Sequence, residues 1–441
     1  MAFTKPRGTQ DWFGDNILKF EELSSMLKTV AELYDFNEIV TPTFENLELF
    51  TKSVGETSDI VSKELYNFKD KGDRDLALRP EGTAGAVRAY VENKMFANKT
   101  GATKLFYLIN LFRYERPQGG RMREFHQFGV EYLNTNSVLD DIEAISFASS
   151  ILTFLDLNDK VTLKINNLGS FKQRVVWMEE LKKYFADYKD QLTEDSLKRL
   201  EKNPLRILDD KVDGQKDFVL NAPKLKNYLS DEDNLYFEKI QAGLSALQID
   251  YEIDETLVRG LDYYTGIVFE FVSNDENLVG KSTIIGGGRY ANLVKDTGGP
   301  DQEGLGFAIG IERLILALEA NGYEWKYDNS PMFFIGAETE DLSLVGLSLS
   351  TLLRNLGYKV SCENGEFKKD RNAKLAIRKN ATFFIYLSEE STQDEKIYIE
   401  NLKTNKRELI QFTEVQNWIN NELESLEAAA MEAELAEESA K

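Results

Sequence analysis

Two periods of hydrophobic residues divide the chain into helical and extended segments. Between residues 17 and 34 the apolar positions recur every three or four residues, on one helix face; they are Ile17, Phe20, Leu23, Leu27, Val30 and Leu33. We therefore predict a helix from Ile17 to Tyr34, followed by a short strand from Glu38 to Thr41 that ends at Pro42. The pattern alone fits both a core helix and a helix at a subunit interface.

The segment from Leu111 to Glu131 has the period of two that is typical of strands, but it carries charge where a buried strand would be apolar. Polar and aromatic side chains share one predicted face of its two arms: Arg113, Glu115, Arg123, Phe125, Gln127 and Glu131. Turn residues join the arms: Pro117, Gly119 and Gly120. Because a buried charge needs a partner or a ligand, this face is a candidate floor for a zwitterionic or phosphorylated substrate. The alternative is an ordinary exposed hairpin face.

Residues 76–83 form a strand that ends in a turn before a helix starting near Ala84. Thr83 has the hydroxyl of a typical N-cap residue. Glu81 lies at the end of the strand, where ligands are commonly held. On the residues alone, simple capping of the helix is the preferred interpretation.

Glycines punctuate the strands of the later part of this region. A strand from Ile267 to Val272 precedes a second one that leads into Gly286–Gly288, where a ligand or another backbone could approach closely. Gly286–Gly288 are not a phosphate-binding loop of the Walker type, because the flanking lysine and hydroxyl pattern is missing, and Gly304, Gly306 and Gly310 do not have the spacing of a dinucleotide fingerprint. A helix is predicted from Ile311 to Ala320, with Arg313 in its first turn. The macrodipole disfavours a cation there, and either a bound anion or Glu312 would compensate.

The rest of the chain separates into three segments. Residues 168–248 are dense in charge and predict a helical insertion between strand-rich regions. After Pro331, strands and helices alternate, which predicts an α/β layer with a mixed sheet. Within it, Arg354–Lys379 contains eight Lys or Arg against three acidic residues, a run that fits a solvated helix face or phosphate contacts. The tail, 425–441, is rich in Ala and Glu.

Composition narrows the chemistry. The 441 residues carry a formal net charge of −22, which argues against nucleic-acid binding over the whole surface but not against local basic patches. With one histidine and one cysteine, neither a His-based zinc site nor a Cys–His nucleophile pair is expected. Alternation places that histidine, His126, opposite Phe125 and Gln127, so we interpret it as structural. The sequence shows no signal region and no run of eighteen apolar residues, and a soluble, cytoplasmic protein without membrane partners is expected.

Three separated segments carry a family resemblance; they are Phe112–Gln118 with Arg121 and Arg123–Gln127, then Leu257–Gly266, and then Gly304–Leu314. In this order they resemble the motifs of class II aminoacyl-tRNA synthetases, and in detail those of the histidyl-tRNA synthetases, from near Lys5 to about Ile419. The resemblance implies an α+β catalytic domain built on an antiparallel sheet (1–325) with a helical insertion (168–248). It further implies a small α/β mixed-sheet anticodon-binding domain (331–424) and an acidic tail (425–441).

The resemblance also implies the reaction and its partners. ATP, as its Mg²⁺ complex, would activate L-histidine to histidyl-adenylate with release of pyrophosphate, and histidine would then pass to the 3′ end of tRNA(His). The first helix and strand would form the interface of a homodimer, the insertion would touch the tRNA acceptor stem, and no tightly bound protein metal site is expected. A solvated helical decoration is an equal alternative for the insertion.

Residue roles follow from the same resemblance. The catalytic residues at the α-phosphate would be Arg113 and Arg259. The histidine-binding residues would be Glu81, Gly82, Thr83, Gln127, Glu131, Tyr263 and Tyr264. The ATP-binding residues would be Arg113, Glu115, Arg121, Phe125 and Arg313. These residue types suit the chemistry, because adenylate formation needs no general base but does need fixed positive charge around the phosphates.

Two other functions share this fold. The first is a regulatory paralogue that serves histidine biosynthesis; such subunits usually lack the anticodon domain and have degraded active-site segments. Here Arg113, Gln127, Glu131 and 259–266 are intact, which disfavours that function. The second is a class II synthetase for another amino acid, such as proline or threonine, which the Arg-Gly-Leu-Asp-Tyr-Tyr segment disfavours.

Overall fold

The computed structural model of the chain describes residues 3–55, 58, 60–98, 101–117, 120–135, 137–208, 210, 212–258, 261, 263–275, 283–326, 328–363, 368–425 and 428. The chain folds into two compact units, Met1–Lys326 and Tyr327–Lys441. Among the described residues, no helix is both long enough and apolar enough to cross a bilayer.

The strands of the first unit are β1 (Asn37–Glu38), β2 (Phe44–Asn46), β3 (Asn67–Lys69), β4 (Asp75–Leu78), β5 (Thr103–Phe112), β6 (Glu124–Leu133), β7 (Val161–Asn167), β8 (Glu252–Ile253), β9 (Tyr264–Ser273), β10 (Thr283–Tyr290) and β11 (Gly304–Gly310). Its helices are α1 (Asp15–Leu33), α2 (Leu47–Val54), α3 (Thr83–Glu92), α4 (Val138–Phe154), α5 (Phe171–Ala186), α6 (Glu194–Lys202), α7 (Leu205–Leu208), α8 (Asp217–Leu220), α9 (Asp231–Ala246), α10 (Leu293–Asp296) and α11 (Ile311–Ala320).

An eight-stranded sheet in the order β1-β5-β6-β11-β10-β9-β7-β8 organises this unit. Its six central strands pair antiparallel, and the parallel pairs β1·β5 and β7·β8 lie at the two edges. The predicted α+β domain on an antiparallel sheet is therefore confirmed. The hairpin predicted from residue 111 belongs to β5 and β6, which pair from Thr103 with Leu133 to Phe112 with Glu124.

One face of the large sheet packs against helices α1, α4, α9 and α11. Strand β6 gives this core its even-numbered residues, such as Phe128 and Val130, because side chains alternate between the faces of a strand. The opposite face of the same strand is thus left for odd-numbered residues. That face carries the site described below.

Helix α1 differs from its prediction at its C-terminal end. Leu23, Leu27 and Val30 are buried as expected, whereas Leu33 is 69% exposed. The helix ends at Leu33, and the chain turns at Asp35, whose φ of 62° is left-handed. The following strand is also shorter than predicted, because only Asn37–Glu38 pairs with β5.

The helical insertion contributes to two different cores. Helices α5 to α8 surround a second apolar cluster that also contains Leu257, Tyr264 and Val268 of the catalytic region. The last helix, α9, instead places Ile240 and Leu244 in the main core. Part of the predicted insertion is therefore integral to the catalytic fold.

The glycines 286–288 lie within strand β10 rather than in a loop after it. A Cβ at Gly287 would lie 2.5 Å from the Cβ of Phe307, and one at Gly288 would lie 2.7 Å from the carbonyl oxygen of Ile267. Since real Cβ atoms do not approach so closely, these positions need glycine for contact with neighbouring strands. Contact with neighbouring strands, one of the two expectations, therefore explains Gly287 and Gly288, whereas Gly286 lines the cavity described below.

The second unit has a five-stranded mixed sheet in the order β13-β12-β14-β15-β16, and its fold confirms the predicted α/β layer. The strands are β12 (Phe333–Ala337), β13 (Val360–Cys362), β14 (Phe383–Leu387), β15 (Lys396–Asn401) and β16 (Lys406–Gln411). The helices are α12 (Glu340–Asn355), α13 (Lys369–Arg378), α14 (Glu389–Gln393) and α15 (415–425). Most of the basic run 354–379 lies on α13 and the end of α12. Residues 364–367, and the acidic tail apart from 425 and 428, lie outside the described residues.

Candidate active site

A cavity of about 410 Å³ opens on the face of the large sheet opposite the helices α1 and α4. Ten of the residues predicted for the site line it: Glu81, Thr83, Arg113, Glu115, Arg121, Phe125, Gln127, Tyr263, Tyr264 and Arg313. Phe125 and Gln127 reach it together because they are two residues apart on β6. Residues that are distant in sequence thus meet in one polar cavity with an aromatic side chain.

Glu81 closes the N-terminal end of helix α3 inside the cavity. Its buried carboxylate accepts hydrogen bonds from the backbone N–H groups of Thr83 at 2.7 Å and Ala84 at 2.8 Å. The prediction that Thr83 is the N-cap is wrong: Thr83 is the first helical residue, Gly82 precedes it, and the Glu81 side chain does the capping. Burial raises the pKa of Glu81, while these hydrogen bonds and the charge of Arg113 oppose that rise.

Glu131 lies behind the wall of the cavity rather than on its lining. Its side chain is fully buried and accepts hydrogen bonds from the hydroxyls of Tyr290 at 2.7 Å and Tyr107 at 3.1 Å. Burial raises the pKa of Glu131 to about 8, against the lowering effect of hydrogen bonds from Tyr290, Thr83 and Tyr107. A carboxyl group that is this well enclosed interacts strongly with any polar ligand that reaches it.

Arginine and aromatic side chains also line the cavity. The Nε of Arg113 donates to the carbonyl oxygen of Pro80 at 2.8 Å, and its guanidinium carbon lies 5.4 Å from the ring centroid of Phe125. Arg121 faces Glu115, with 3.6 Å between Nη1 and Oε2. This arrangement presents fixed guanidinium groups beside a flat ring, which suits a nucleotide.

Arg313 reaches the cavity from the first turn of helix α11. Its Nε donates to the carbonyl oxygen of Gly120 at 3.2 Å, and its Nη1 donates to that of Thr283 at 3.3 Å. The neighbouring Glu312 accepts hydrogen bonds from the backbone N–H of His126 at 2.9 and 3.0 Å, and lies 3.0 Å from its Nδ1. Glu312 therefore joins helix α11 to strand β6.

The His126 ring packs edge-on against two aromatic rings. The centroid distances are 4.8 Å to Phe20 and 5.7 Å to Trp12. His126 is not among the residues that line the cavity, in contrast to Phe125 and Gln127 on either side of it. The alternation in the sequence predicted this separation.

Comparison with known proteins identifies the family. The family described as histidyl-tRNA synthetase matches residues 8–314. The chain belongs to this family. A histidine–tRNA ligase of Malacoplasma penetrans is 43% identical over 425 residues, with 96% of this chain and 100% of that protein covered. One of Ureaplasma urealyticum is 45% identical over 415 residues, with 94% and 98% covered.

Solved structures agree with this assignment. The apo histidyl-tRNA synthetase of S. aureus superposes with a TM-score of 0.81 at 33% identity, over 95% of this chain and 99% of that one. A protein of Bacillus halodurans titled as an ATP phosphoribosyltransferase regulatory subunit/histidyl-tRNA synthetase has a TM-score of 0.63 at 21% identity, over 88% of this chain and 99% of that one. The second likeness shows the shared fold alone.

Two predicted residues of the synthetase site remain, Arg259 and Gly82. Arg259, the second predicted catalytic residue, lies outside the described residues, as do Gly260 and Asp262 of the same motif. Gly82 is described and buried, but it does not line the cavity.

Sequence reasoning missed several residues of the synthetase cavity. Tyr107 and Glu270 line it from strands β5 and β9, and Arg206 reaches it from helix α7 of the insertion. Glu270 accepts a hydrogen bond from the hydroxyl of Thr283 at 2.7 Å. A signal for Glu270 was present, since it is a charged residue within an otherwise apolar strand. Arg206 carried no such signal in a segment that is rich in charge.

Proposed function

We propose that this chain is a histidine–tRNA ligase. It activates L-histidine with ATP, brought as the Mg²⁺ complex, releases pyrophosphate, and transfers histidine to the 3′ end of tRNA(His). The observation that carries this proposal is near-full-length identity of 43–45% to histidine–tRNA ligases. The cavity supports it, because its lining combines carboxyl, hydroxyl and guanidinium groups with aromatic rings.

At the phosphate end, Arg113 acts on the α-phosphate together with Arg259, a role for Arg259 that rests on the family motif. The histidine carboxylate is already ionised at neutral pH and is itself the nucleophile. Catalysis then consists of aligning that carboxylate with the α-phosphate and stabilising the charge that develops there. Arg121 and Arg313 bind the outer phosphates, Phe125 stacks on adenine, and Glu115 binds the edge of the base.

At the amino-acid end, Glu81 and Gln127 bind the α-ammonium group beside Gly82 and Thr83. Neutral imidazole offers one N–H donor and one nitrogen acceptor. Glu131 accepts from the donor, and Tyr264, with Tyr263 beside it, serves the other nitrogen. A pocket of hydrogen-bonding partners rejects isosteres that lack these groups much better than an apolar pocket does.

The protein works as a homodimer in the cytoplasm. Large apolar side chains near the first helix and strand support the dimer, because they are exposed in the single chain: Phe13, Leu33, Val40 and Phe44. The insertion contacts the acceptor stem, and the second unit binds the anticodon, with phosphate contacts from the basic run 354–379.

An amino-acid-dependent pyrophosphate exchange assay with all twenty amino acids, followed by charging of tRNA, tests the function. Exchange with histidine alone and charging of tRNA(His) are expected. Exchange with proline or threonine instead would make the chain a synthetase for that amino acid. Exchange without any charging would favour the regulatory paralogue.

A further inference from the structure

The buried Glu131 carboxylate is held by two tyrosines from different strands. Tyr107 on β5 donates its hydroxyl to Oε1 at 3.1 Å, and Tyr290 on β10 donates to Oε2 at 2.7 Å. Strand β5 is next to β6, whereas β11 lies between β6 and β10. Each carboxylate oxygen therefore has one phenolic donor, and the two donors approach from opposite sides of the strand that carries the carboxylate.

Four glycines leave room for the two tyrosine rings and the carboxylate. A Cβ at Gly82 or Gly129 would overlap the ring of Tyr107, and one at Gly304 would overlap the ring of Tyr290. A Cβ at Gly306 would lie 2.5 Å from Oε2 of Glu131. These four glycines come from the start of α3 and from strands β6 and β11. The rings thus fill space that the surrounding backbone leaves open, and their hydroxyl positions are fixed by packing.

We propose that Tyr107 and Tyr290 are positioning residues that fix the plane of the Glu131 carboxylate and thereby determine selectivity for an imidazole. This inference rests on the proposed function, which makes Glu131 the partner of the imidazole N–H. An ionised carboxylate has about four lone-pair sites, and the tyrosines occupy one on each oxygen. The remaining sites point in fixed directions, so only a donor at one position of the amino-acid side chain meets them with good geometry.

The test replaces each tyrosine by phenylalanine, which removes the hydroxyl and keeps the ring. Tyr132→Phe is the matched control, because Tyr132 is equally buried on β6 but faces the helical core. In histidine-dependent pyrophosphate exchange above pH 8, where Glu131 is mostly ionised, Tyr290→Phe and Tyr107→Phe should each raise the KM for histidine about tenfold or more, as expected for loss of a hydrogen bond to a charged group. The KM for ATP should stay unchanged, since ATP binds at the other end of the cavity.

The pH dependence of the KM for histidine distinguishes a positioning role of the tyrosines from a purely structural one, because a purely structural role would leave it unchanged. The titratable groups around Glu131 are Glu81, Tyr107, Tyr263, Tyr264 and Tyr290. Hydrogen bonds from the tyrosines lower the pKa of Glu131, so removing one raises that pKa. Because Glu131 accepts from the imidazole when ionised, the acid limb of 1/KM for histidine should move to higher pH in Tyr290→Phe. The imidazole of the substrate titrates identically in both enzymes.

The outcomes separate this inference from the function on which it rests. A raised KM for histidine with a displaced acid limb, in a variant with unchanged KM for ATP, supports the positioning role. A folded variant whose KM for histidine and acid limb match those of Tyr132→Phe overturns it while leaving the ligase function in place. Equal increases in the KM for histidine and the KM for ATP would also overturn it. Should Tyr290→Phe fail to fold, Tyr107→Phe decides by the same criteria. Absence of histidine-dependent exchange in the unmodified protein would remove the proposed function and this inference with it.

Discussion

Arg113 is the described residue with the best-defined position for adenylation. Its Nε donates to the carbonyl oxygen of Pro80, and the residue lines the cavity. We expect Arg113→Ala to lower the rate of adenylate formation roughly a hundredfold, as is typical when one preorganised donor is lost. Histidine binding should change much less. Pre-steady-state adenylation measures the first effect, and equilibrium titration measures the second.

Arg123 provides the control on the same hairpin. Its guanidinium carbon lies 3.9 Å above the ring centroid of Tyr114, and it does not line the cavity. Arg123→Ala should therefore leave adenylation near the rate of the unmodified protein. Arg259→Ala, at the position that the family motif assigns, should behave like Arg113→Ala. An adenylation rate within about threefold of the unmodified protein would reject either arginine as a catalytic residue, given the loss expected for such a donor.

His126 gives a prediction of the opposite kind. Because its ring packs on Phe20 and Trp12 and pairs with Glu312, His126→Gln should leave the pH dependence of adenylation unchanged. Any loss should appear as a lower melting temperature. The structural role of His126 is contradicted if His126→Gln has an unchanged melting temperature but its pH–rate profile for adenylation lacks a titration near neutral pH that the unmodified protein shows.

At this scale, local alternation predicted more than residue type did. It separated His126 from Phe125 and Gln127 correctly, because period two is a property of the backbone. Tyr107 and Tyr290 could not be predicted in the same way. Their common partner Glu131 is 24 and 159 residues away in sequence, and only the folded sheet brings the three together.

Packing against neighbouring strands tightly constrains the sequence of strand β10. An added methyl group at Gly287 would meet the backbone of β11 and the side chains of Phe269 and Phe307. We expect Gly287→Ala to lower the free energy of unfolding by about 1–3 kcal/mol, the usual effect of overpacking, or more if the strands separate. Denaturant titration followed by circular dichroism measures it. Gly101→Ala is the control, since a Cβ there meets no atom within 4 Å; equal stability losses would contradict the packing argument.

Two strands that sequence reasoning missed, β15 and β16, lie in the second unit. Strand β15 buries Ile397 and Ile399 between polar neighbours, so its alternation was readable, but the run is only six residues long. Strand β16 lies at the edge of the sheet and has no fully buried residue, so it lacked a hydrophobic signal. The edge of a sheet is recognised by its hydrogen bonds, and these depend on the neighbouring strand.

For the whole molecule, the two units predict a division of labour. The lining of the candidate active site lies entirely within Met1–Lys326, and each unit has its own apolar core. Truncation near Asn329 should therefore preserve histidine-dependent pyrophosphate exchange. Charging of tRNA should fall sharply, because the proposed function assigns anticodon binding to the second unit. Parallel exchange and charging assays on the truncated and full-length proteins measure this, and loss of exchange from a folded truncated protein would contradict it.

The basic run 354–379 can be tested in the full-length chain. Reversing Lys368, Lys369 and Arg371 to Glu should raise the KM for tRNA while exchange stays intact. Each lost phosphate contact should also remove roughly one unit from the log–log salt dependence of tRNA binding. A variant that reverses 403, 406 and 407 has the same net charge and serves as the control. If tRNA binding is the same in both variants, the basic run is only a solvated face.

The position of α9 determines which part of the helical insertion can be replaced by another sequence. Both ends of the segment 171–229 meet at Asp233, whose carboxylate accepts from the backbone N–H of Ser170 at 3.2 Å and whose carbonyl accepts from Asn167 at 2.9 Å. When the two ends of a segment lie close together in the fold, the segment can be replaced by a shorter or foreign sequence without displacing the rest of the domain. A graft with these limits keeps α9 in the main core, whereas one cut at 168 and 248 would remove Ile240 and Leu244 from it. Any replacement would still have to shield Leu257 and Val268 from water.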